Sequence, residues 1–169
     1  MPLSIPADDL LTWNDISARK WRDFANAYPE LLALPCDIRQ SGTADHLLQH
    51  IVAVELRYAQ RLASQPETDY ADVPCNTPDE IFATHDRAVD LLRALLTDES
   101  FDWNHEIEFT TITAGRLRAS RRAVLIHTLM HSIRHYAQLS TLARQHGLKP
   151  DWPLDFLFIA AKSSWHTGT

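Results

Sequence analysis

The sequence contains little cysteine, no long hydrophobic run and no excess of positive charge. Two cysteines, Cys36 and Cys75, among 169 residues exclude a disulfide framework and a four-thiolate zinc site. No stretch approaches the roughly 20 apolar residues of a membrane-spanning helix. The N-terminal segment also lacks the basic start and the apolar core of a secretory signal. These absences predict a cytoplasmic protein that does not enter a membrane.

Acidic residues outnumber basic ones. The chain has 22 Asp and Glu against 16 Lys and Arg, which gives a net charge of −6. Binding to a nucleic-acid backbone depends mainly on cationic contacts, so no nucleic-acid partner is predicted. The length and the hydrophobic content of 45% suit a single domain over residues 1–169 with a substantial core.

Helix signals dominate the chain. Apolar residues recur at helical spacing in four long segments, and capping or turn residues mark most of their ends. Thr43, Thr77 and Ser120 stand where an N-terminal cap is expected, and Gly147 follows the last segment. The predicted helices are residues 8–28, 43–64, 78–97 and 121–146.

Two further segments have less regular patterns. Ile107, Phe109 and Ile112 alternate before the last long helix, which predicts a short strand pair or an extended excursion. The apolar segment 152–162 predicts a short helix or strand packed against the helices. Together these elements predict an all-α fold, a four-helix bundle with one extended insertion.

The stretch "HTLMHSIRHYAQ" places His127, His131 and His135 at four-residue intervals in the last long helix. A four-residue step shifts a side chain by only about 40° around the helix axis, so neighbouring histidines share a face. The helix face that contains these histidines is apolar at both of its ends, which indicates that it points to the interior.

Two histidines one turn apart can both bind one metal ion, with a further ligand from another element. His127 and His135 are about 12 Å apart along the helix axis, too far for both to bind the same ion. The pair is therefore either His127 with His131 or His131 with His135. His50, in an inward row of the second helix, is the expected third ligand, and such a site leaves coordination positions open for water or substrate.

The other histidines have less specific interpretations. A lone inward histidine is usually a hydrogen-bonded core residue, and this interpretation applies to His85 and also to His127. Solvated histidines are expected at helix ends and in loops, and these are His46, His105, His146 and His166.

Two segments of the chain resemble the DinB-like superfamily, some members of which are metal-dependent thiol transferases or isomerases. The segment "HLLQHIVAVELRYAQRL" resembles the second helix of that family. The segment "HTLMHSIRHYAQLSTLARQHGLKPDWPLDF" resembles its last long helix and exit. The arginine and glycine that often follow the final histidine of the family are Tyr136 and Ala137 here, which removes any substrate role for that arginine.

The resemblance implies a bundle with up-down-down-up connectivity, often a homodimer, that carries a divalent metal ion. It also selects His50, His131 and His135 as the three metal ligands, with Gln138 completing the motif and supporting a ligand histidine. Zinc or nickel is the expected metal, with iron or manganese as the alternatives. Three imidazoles suit several divalent ions, so the histidines alone do not select one.

The implied activity is a thiol-dependent transferase or isomerase that acts on a small electrophile. A divalent ion held by neutral imidazoles keeps its full charge, which favours the thiolate of a low-molecular-weight thiol as cosubstrate. No protein cysteine is then needed, and Cys36 and Cys75 are interpreted as ordinary loop thiols. The alternative is a non-catalytic metal-binding or stress-response dimer.

The stretch "GRLRASRR" places Arg121 and Arg122 in the first turn of the last long helix. Cations at a helix N-terminus oppose the helix dipole, and an anionic ligand would offset that cost. Binding of a substrate anion is therefore one hypothesis for this pair. A solvated face with salt bridges is the other.

Overall fold

The computed structural model describes residues 6–111 and 114–160, and helices make up most of this part of the chain. Four long helices and one short helix are present: α1 Ala7–Ala27, α2 Ala44–Leu62, α3 Pro78–Thr97, α4 Arg121–Gln145 and α5 Phe156–Ala160. Two antiparallel strand pairs accompany them: β1 Pro35–Cys36 with β2 Gly42–Thr43, and β3 Glu106–Thr111 with β4 Gly115–Ser120. Short 3-10 turns occupy Pro29–Ala33, Ile38–Gln40 and Tyr70–Asp72.

Local capping explains where α3 and α4 begin and where α4 ends. The Thr77 hydroxyl accepts a hydrogen bond from the Glu80 amide at 3.2 Å, and the Ser120 hydroxyl accepts one from the Ala123 amide at 3.3 Å. Such caps contribute about 1 kcal/mol each. Gly147 follows α4 with φ +83°, a conformation that costs glycine nothing.

Thr43 occupies the N-cap position of α2, but the prediction that it caps this helix is wrong for its side chain. Its hydroxyl donates to the Asp45 carboxylate instead, and no backbone amide bonds to it. The Asp45 carboxylate in turn accepts the His46 amide at 2.6 Å. A charged acceptor thus satisfies the helix start in place of the hydroxyl.

Helix α2 is the central element of the packing. It packs against α3 and α4, and α1 packs against the same two helices. One apolar cluster includes Ile51 of α2 together with Trp21 and Tyr136, whose rings stack with centroids 6.4 Å apart. A second cluster includes Leu56 of α2 with Leu129 of α4. Fully burying a side chain such as Leu or Ile contributes roughly 1.5–3 kcal/mol, so α2 stabilises both halves of the core.

A group of buried polar side chains connects the first three helices. The His85 ring on α3 lies between the Glu55 carboxylate at 2.7 Å and the Asp15 carboxylate at 3.5 Å. Asn14 donates to Glu55 at 3.0 Å, and Arg93 donates to Asp15 at 2.5 Å. The interpretation of His85 as a hydrogen-bonded core residue is confirmed.

The segment between α3 and α4 forms the hairpin β3–β4, where the alternating sequence predicts a strand pair or an extended excursion. Its register runs from the pair Glu106 with Ser120 to the pair Thr111 with Gly115. Ile107 and Phe109 are half-buried against the helices. Ile112 lies outside the described residues.

The C-terminal segment packs against α1. The Trp13 indole donates a hydrogen bond to the Leu154 carbonyl at 2.7 Å, and the Phe156 ring meets the Trp13 ring edge-on, with centroids 5.6 Å apart. In the two described ranges, no helix has both the length and the apolar character required to cross a membrane.

Replacement of His85 by Ala should lower the free energy of unfolding by about 3 kcal/mol, because it leaves the buried Glu55 carboxylate without a cationic partner, whereas Asp15 keeps Arg93. Denaturation in urea, followed by circular dichroism, measures the change. The matched control is His105→Ala, an exposed histidine whose loss should be nearly neutral. Equal stability of the two variants would contradict the assigned role.

The same network should make stability depend on pH on the alkaline side. Burial disfavours the charged ring, but the Glu55 and Asp15 carboxylates outweigh it and raise the pKa of His85 from 6.5 to about 9. A raised folded-state pKa gives stability that is complete below the unfolded pKa and is lost as pH rises through the folded one. The stability difference between the wild type and His85→Ala should therefore shrink between about pH 7 and about pH 10 in urea titrations. A difference that grows over this range would contradict the sign.

Candidate metal centre

Three histidines from two packed helices converge beside a surface cleft. His131 and His135 lie one turn apart on α4, and His50 faces them from α2. One nitrogen atom from each ring lies within 4.8 Å of the others. The cluster is compatible with a metal site, and it consists of the three residues that the family resemblance selects.

The rings meet edge to face rather than in a stack. The Nε2 atoms of His50 and His131 are 3.1 Å apart. The ring centroids of His131 and His135 are 4.5 Å apart, and those of His50 and His135 are 5.2 Å apart. His131 and His135 are buried, and His50 is half-buried. The nitrogen atoms therefore face one another in a site largely shielded from solvent.

Burial keeps these rings neutral. It lowers the pKa of His50 to about 4, and the positive charge of Arg39 acts in the same direction. Burial also lowers the pKa of His131 and of His135. The positive charge of Arg134 lowers both pKa values further. A neutral imidazole has a free lone pair, which is the form that binds metal ions.

Gln138 sets the tautomer of His135. The Gln138 Oε1 atom lies 2.7 Å from the His135 Nδ1 atom. An amide oxygen only accepts hydrogen bonds, so Nδ1 carries the proton and the lone pair lies on Nε2. The Arg134 guanidinium donates to this Nε2 at 3.2 Å. Metal-binding histidines are typically oriented by such a bond to the other ring nitrogen.

The interpretation of His127 as a buried core residue is wrong. Its side chain is exposed at the cleft, where its ring meets the Tyr58 ring edge-on at 5.5 Å between centroids. It is also absent from the histidine cluster, which pairs His131 with His135. The reason is the point along α4 at which α2 faces it, because His50 on α2 lies opposite the last two histidines of the row and not opposite His127. Periodicity along α4 alone does not show where this point lies.

The remaining histidines lie away from the cluster. His46 bonds to Thr43 and Asp45 at the start of α2 and is exposed, as are His105 and His146. His166 lies outside the described residues.

A cleft of about 390 Å³ opens next to the cluster, and His50 and His131 form part of its wall. This volume lies within the range of about 300–1,000 Å³ that is common for small-molecule sites. The other lining residues are Arg39, Val54, Arg57, Tyr58, Arg61, Tyr70, Thr110, Thr111, His127 and Arg134. Tyr70 lies nearly parallel to His50, with ring centroids 6.3 Å apart.

Arg121 and Arg122 do not line this cleft. The Arg121 guanidinium lies over the Phe101 ring, 4.3 Å from its centroid, and donates to the Asp102 carbonyl at 3.3 Å. Arg122 lines a separate apolar surface cleft with Trp103. The structure thus brings the three histidines and Gln138 together and places the predicted arginine pair elsewhere.

Sequence analysis missed Arg39, Tyr70 and Arg134 as cleft residues. Arg39 and Tyr70 lie in 3-10 turns that no periodic pattern announces. Arg134 lies on the same helix as the histidine pair, and its position immediately before His135 was the one available signal.

The histidine cluster fits a divalent metal ion on its chemistry. Three neutral imidazoles from two rigid helices supply the nitrogen donors that zinc, nickel and iron accept. Gln138 supplies the outer hydrogen bond expected for one ligand. The adjoining cleft makes the cluster accessible to a small molecule.

Comparison with known protein families identifies the chain's family. The family model described as DinB family matches residues 3–163, nearly the whole chain. No curated protein matches the chain at a significant level.

Single replacements of His50, His131 or His135 by Ala should abolish stoichiometric zinc binding, which mass spectrometry of the reconstituted, desalted protein measures. Gln138→Leu should keep the three ligands but weaken zinc affinity by about 10–100-fold, because the His135 tautomer is no longer fixed.

Two control variants preserve the cluster. His127→Ala removes the remaining histidine of the row, and Gln145→Leu makes the same change as Gln138→Leu at an exposed position on α4. Both should bind zinc as the wild type does. A zinc loss in His127→Ala equal to that in His135→Ala would contradict the ligand set.

Proposed function

The chain belongs to the DinB family, and we propose that it is a metal-dependent enzyme, a thiol-dependent transferase or isomerase that acts on a small electrophile. The observation that carries this proposal is the convergence of His50, His131 and His135 beside an open cleft. A buried histidine cluster without a cleft would support metal storage or structural support equally well. The adjoining cleft favours chemistry on a small molecule.

In this proposal the three histidines hold a divalent ion, zinc or nickel before iron or manganese. When bound, the ion supplies a positive charge that favours a thiolate at neutral pH. The neutral rings leave that charge uncompensated, whereas a carboxylate ligand would reduce it. Gln138 keeps His135 oriented, and the burial of His131 limits access of bulk water.

The thiol in this proposal comes from a cosubstrate. Cys36 is buried in β1 and Cys75 is half-buried, and neither takes part in a disulfide. Burial raises the pKa of both thiols. A raised pKa disfavours the thiolate, which is the nucleophilic form. Both cysteines also lie outside the cleft lining, so neither is placed to attack a substrate there.

We also propose the four-helix bundle with up-down-down-up connectivity that the family resemblance implies, folded as one domain. The packing pattern supports it, since α1 and α2 each pack against both α3 and α4. In a four-helix bundle, this pattern places α1 diagonally opposite α2, and α3 diagonally opposite α4, around one core.

A homodimer and a cytoplasmic location complete the proposal. Ile126 and Met130 on α4 are exposed apolar side chains of the kind that a second copy would bury. The free thiols of Cys36 and Cys75 suit a reducing compartment.

The test is a thiol-dependence assay on the metal-loaded protein. A panel of low-molecular-weight thiols is supplied with monochlorobimane as a model electrophile, and the fluorescence of the conjugate is followed. We expect one thiol to be conjugated faster than in buffer, and His131→Ala to lower that rate roughly a hundredfold or more, because the charge that stabilises the thiolate is lost.

The Cys36→Ala/Cys75→Ala double variant is the control, and it should retain the rate because the nucleophile is external. A protein that binds one metal ion per chain but accelerates conjugation of no thiol would refute the enzyme proposal. It would favour the non-catalytic metal-binding or stress-response dimer.

A further inference from the structure

Within residues 6–111 and 114–160, the cleft beside the histidine cluster is lined by four arginines and by no acidic residue. Arg39, Arg57, Arg61 and Arg134 contribute to its wall. The whole chain has a net charge of −6, so this composition is the reverse of the average surface. A concave wall with charge of one sign concentrates ligands of the opposite sign.

Two of the four arginines already have a carboxylate partner, which they share. Arg57 pairs with Glu67 at 2.8 Å and donates to the Thr68 carbonyl at 2.5 Å. Arg61 pairs with the same carboxylate at 2.7 Å, and its guanidinium lies over the Tyr58 ring, 4.7 Å from the centroid. These contacts give both side chains a structural role along the wall.

The other two arginines have no carboxylate partner within residues 6–111 and 114–160. Arg39 forms no ion pair or side-chain hydrogen bond there, and the one polar contact of Arg134 is the His135 Nε2 atom. Both side chains are exposed to the cleft. They come from separate elements, the Ile38–Gln40 turn and α4, and both line the cavity that contains His50 and His131.

The backbone conformation at Arg39 is strained. Arg39 has φ +54° and Gln40 has φ +59°, so two consecutive non-glycine residues adopt the left-handed conformation. Bulky residues rarely do so, and glycine would adopt it without strain. Such strain is typical of segments that hold a side chain at a binding site.

We propose that Arg39 and Arg134 together bind an anionic group, a carboxylate or a phosphate, of a small molecule that occupies the cleft beside the histidine cluster. The inference rests on the proposed function and adds the chemical class of its substrate or cosubstrate. A guanidinium presents a planar fork of donors that matches both anions, and two of them can hold one group from two sides. Tyr58 and Tyr70 offer aromatic surface to the uncharged part of the ligand.

The test is calorimetric titration of the metal-free full-length protein with succinate and, separately, with inorganic phosphate. Arg39→Gln and Arg134→Gln should each weaken binding of the preferred anion about tenfold, the effect of losing one charged hydrogen-bonding partner. Arg122→Gln is the matched control, because it removes an exposed arginine of the same helix that lies outside the cleft. It should leave affinity unchanged. The anion that binds more tightly identifies the ligand as a carboxylate or a phosphate.

Arg39→Gly separates binding from folding. Glycine relieves the positive φ, so thermal stability should be unchanged or slightly raised while anion affinity falls as in Arg39→Gln. A structural role for Arg39 would instead lower stability. Dimethyl succinate, which has no charge, should not bind.

Three results would overturn the inference. They are the absence of binding by both anions at millimolar concentration, equal weakening in Arg122→Gln, and unchanged affinity in both cleft variants. The titration needs neither metal nor turnover, so its failure leaves the zinc and thiol tests intact. Conversely, succinate binding by a wild-type protein that takes up none of zinc, nickel, iron and manganese would refute the proposed enzyme but not the anion site.

Discussion

The position of the buried His85 between Glu55 and Asp15 constrains the rest of the structure. Apolar side chains of similar size can replace one another in a core at modest cost, whereas an unpaired buried carboxylate is costly. Pairing Glu55 with His85 therefore selects one rotation of α2. His50 precedes Glu55 by five residues, about 140° around the helix. The rotation that buries Glu55 among the first three helices thus directs His50 toward α4, where His131 and His135 lie.

Local chemistry explains how much of this arrangement could be predicted from the sequence. Thr77 and Ser120 cap their helices as their positions suggest, and the four-residue spacing correctly puts His131 and His135 on one face. The exposure of His127 could not be derived, because it depends on how far along its length α4 meets α2. The Asp15 and Glu55 partners of His85 were missed for the same reason, since helical periodicity locates faces but not their partners.

Average charge proved a poor guide to local charge. The acidic excess of the chain lies largely on its outer surface, where Asp79 and Asp86 pair with Arg22. Among the described residues that line the cleft, by contrast, every charged side chain is an arginine. Arg121 and Arg122 stand out in the sequence because they are adjacent. Arg39 and Arg134, which line the cleft beside the histidines, are about 95 positions apart in the chain. Residues that are adjacent in the sequence therefore need not contribute their charges to the same site.

The cleft draws its walls from two kinds of element. The histidines come from α2 and α4, which the core holds rigidly, whereas Arg39, Tyr70 and Thr110 come from turns and a hairpin edge. Surface turns tolerate replacement and changes of length far better than packed helices do. Descendants can therefore exchange the part of the wall that the turns and the hairpin supply, Arg39 included, while Arg134 and the three histidines stay fixed on the helices. Selection can then diversify specificity without first having to rebuild the centre.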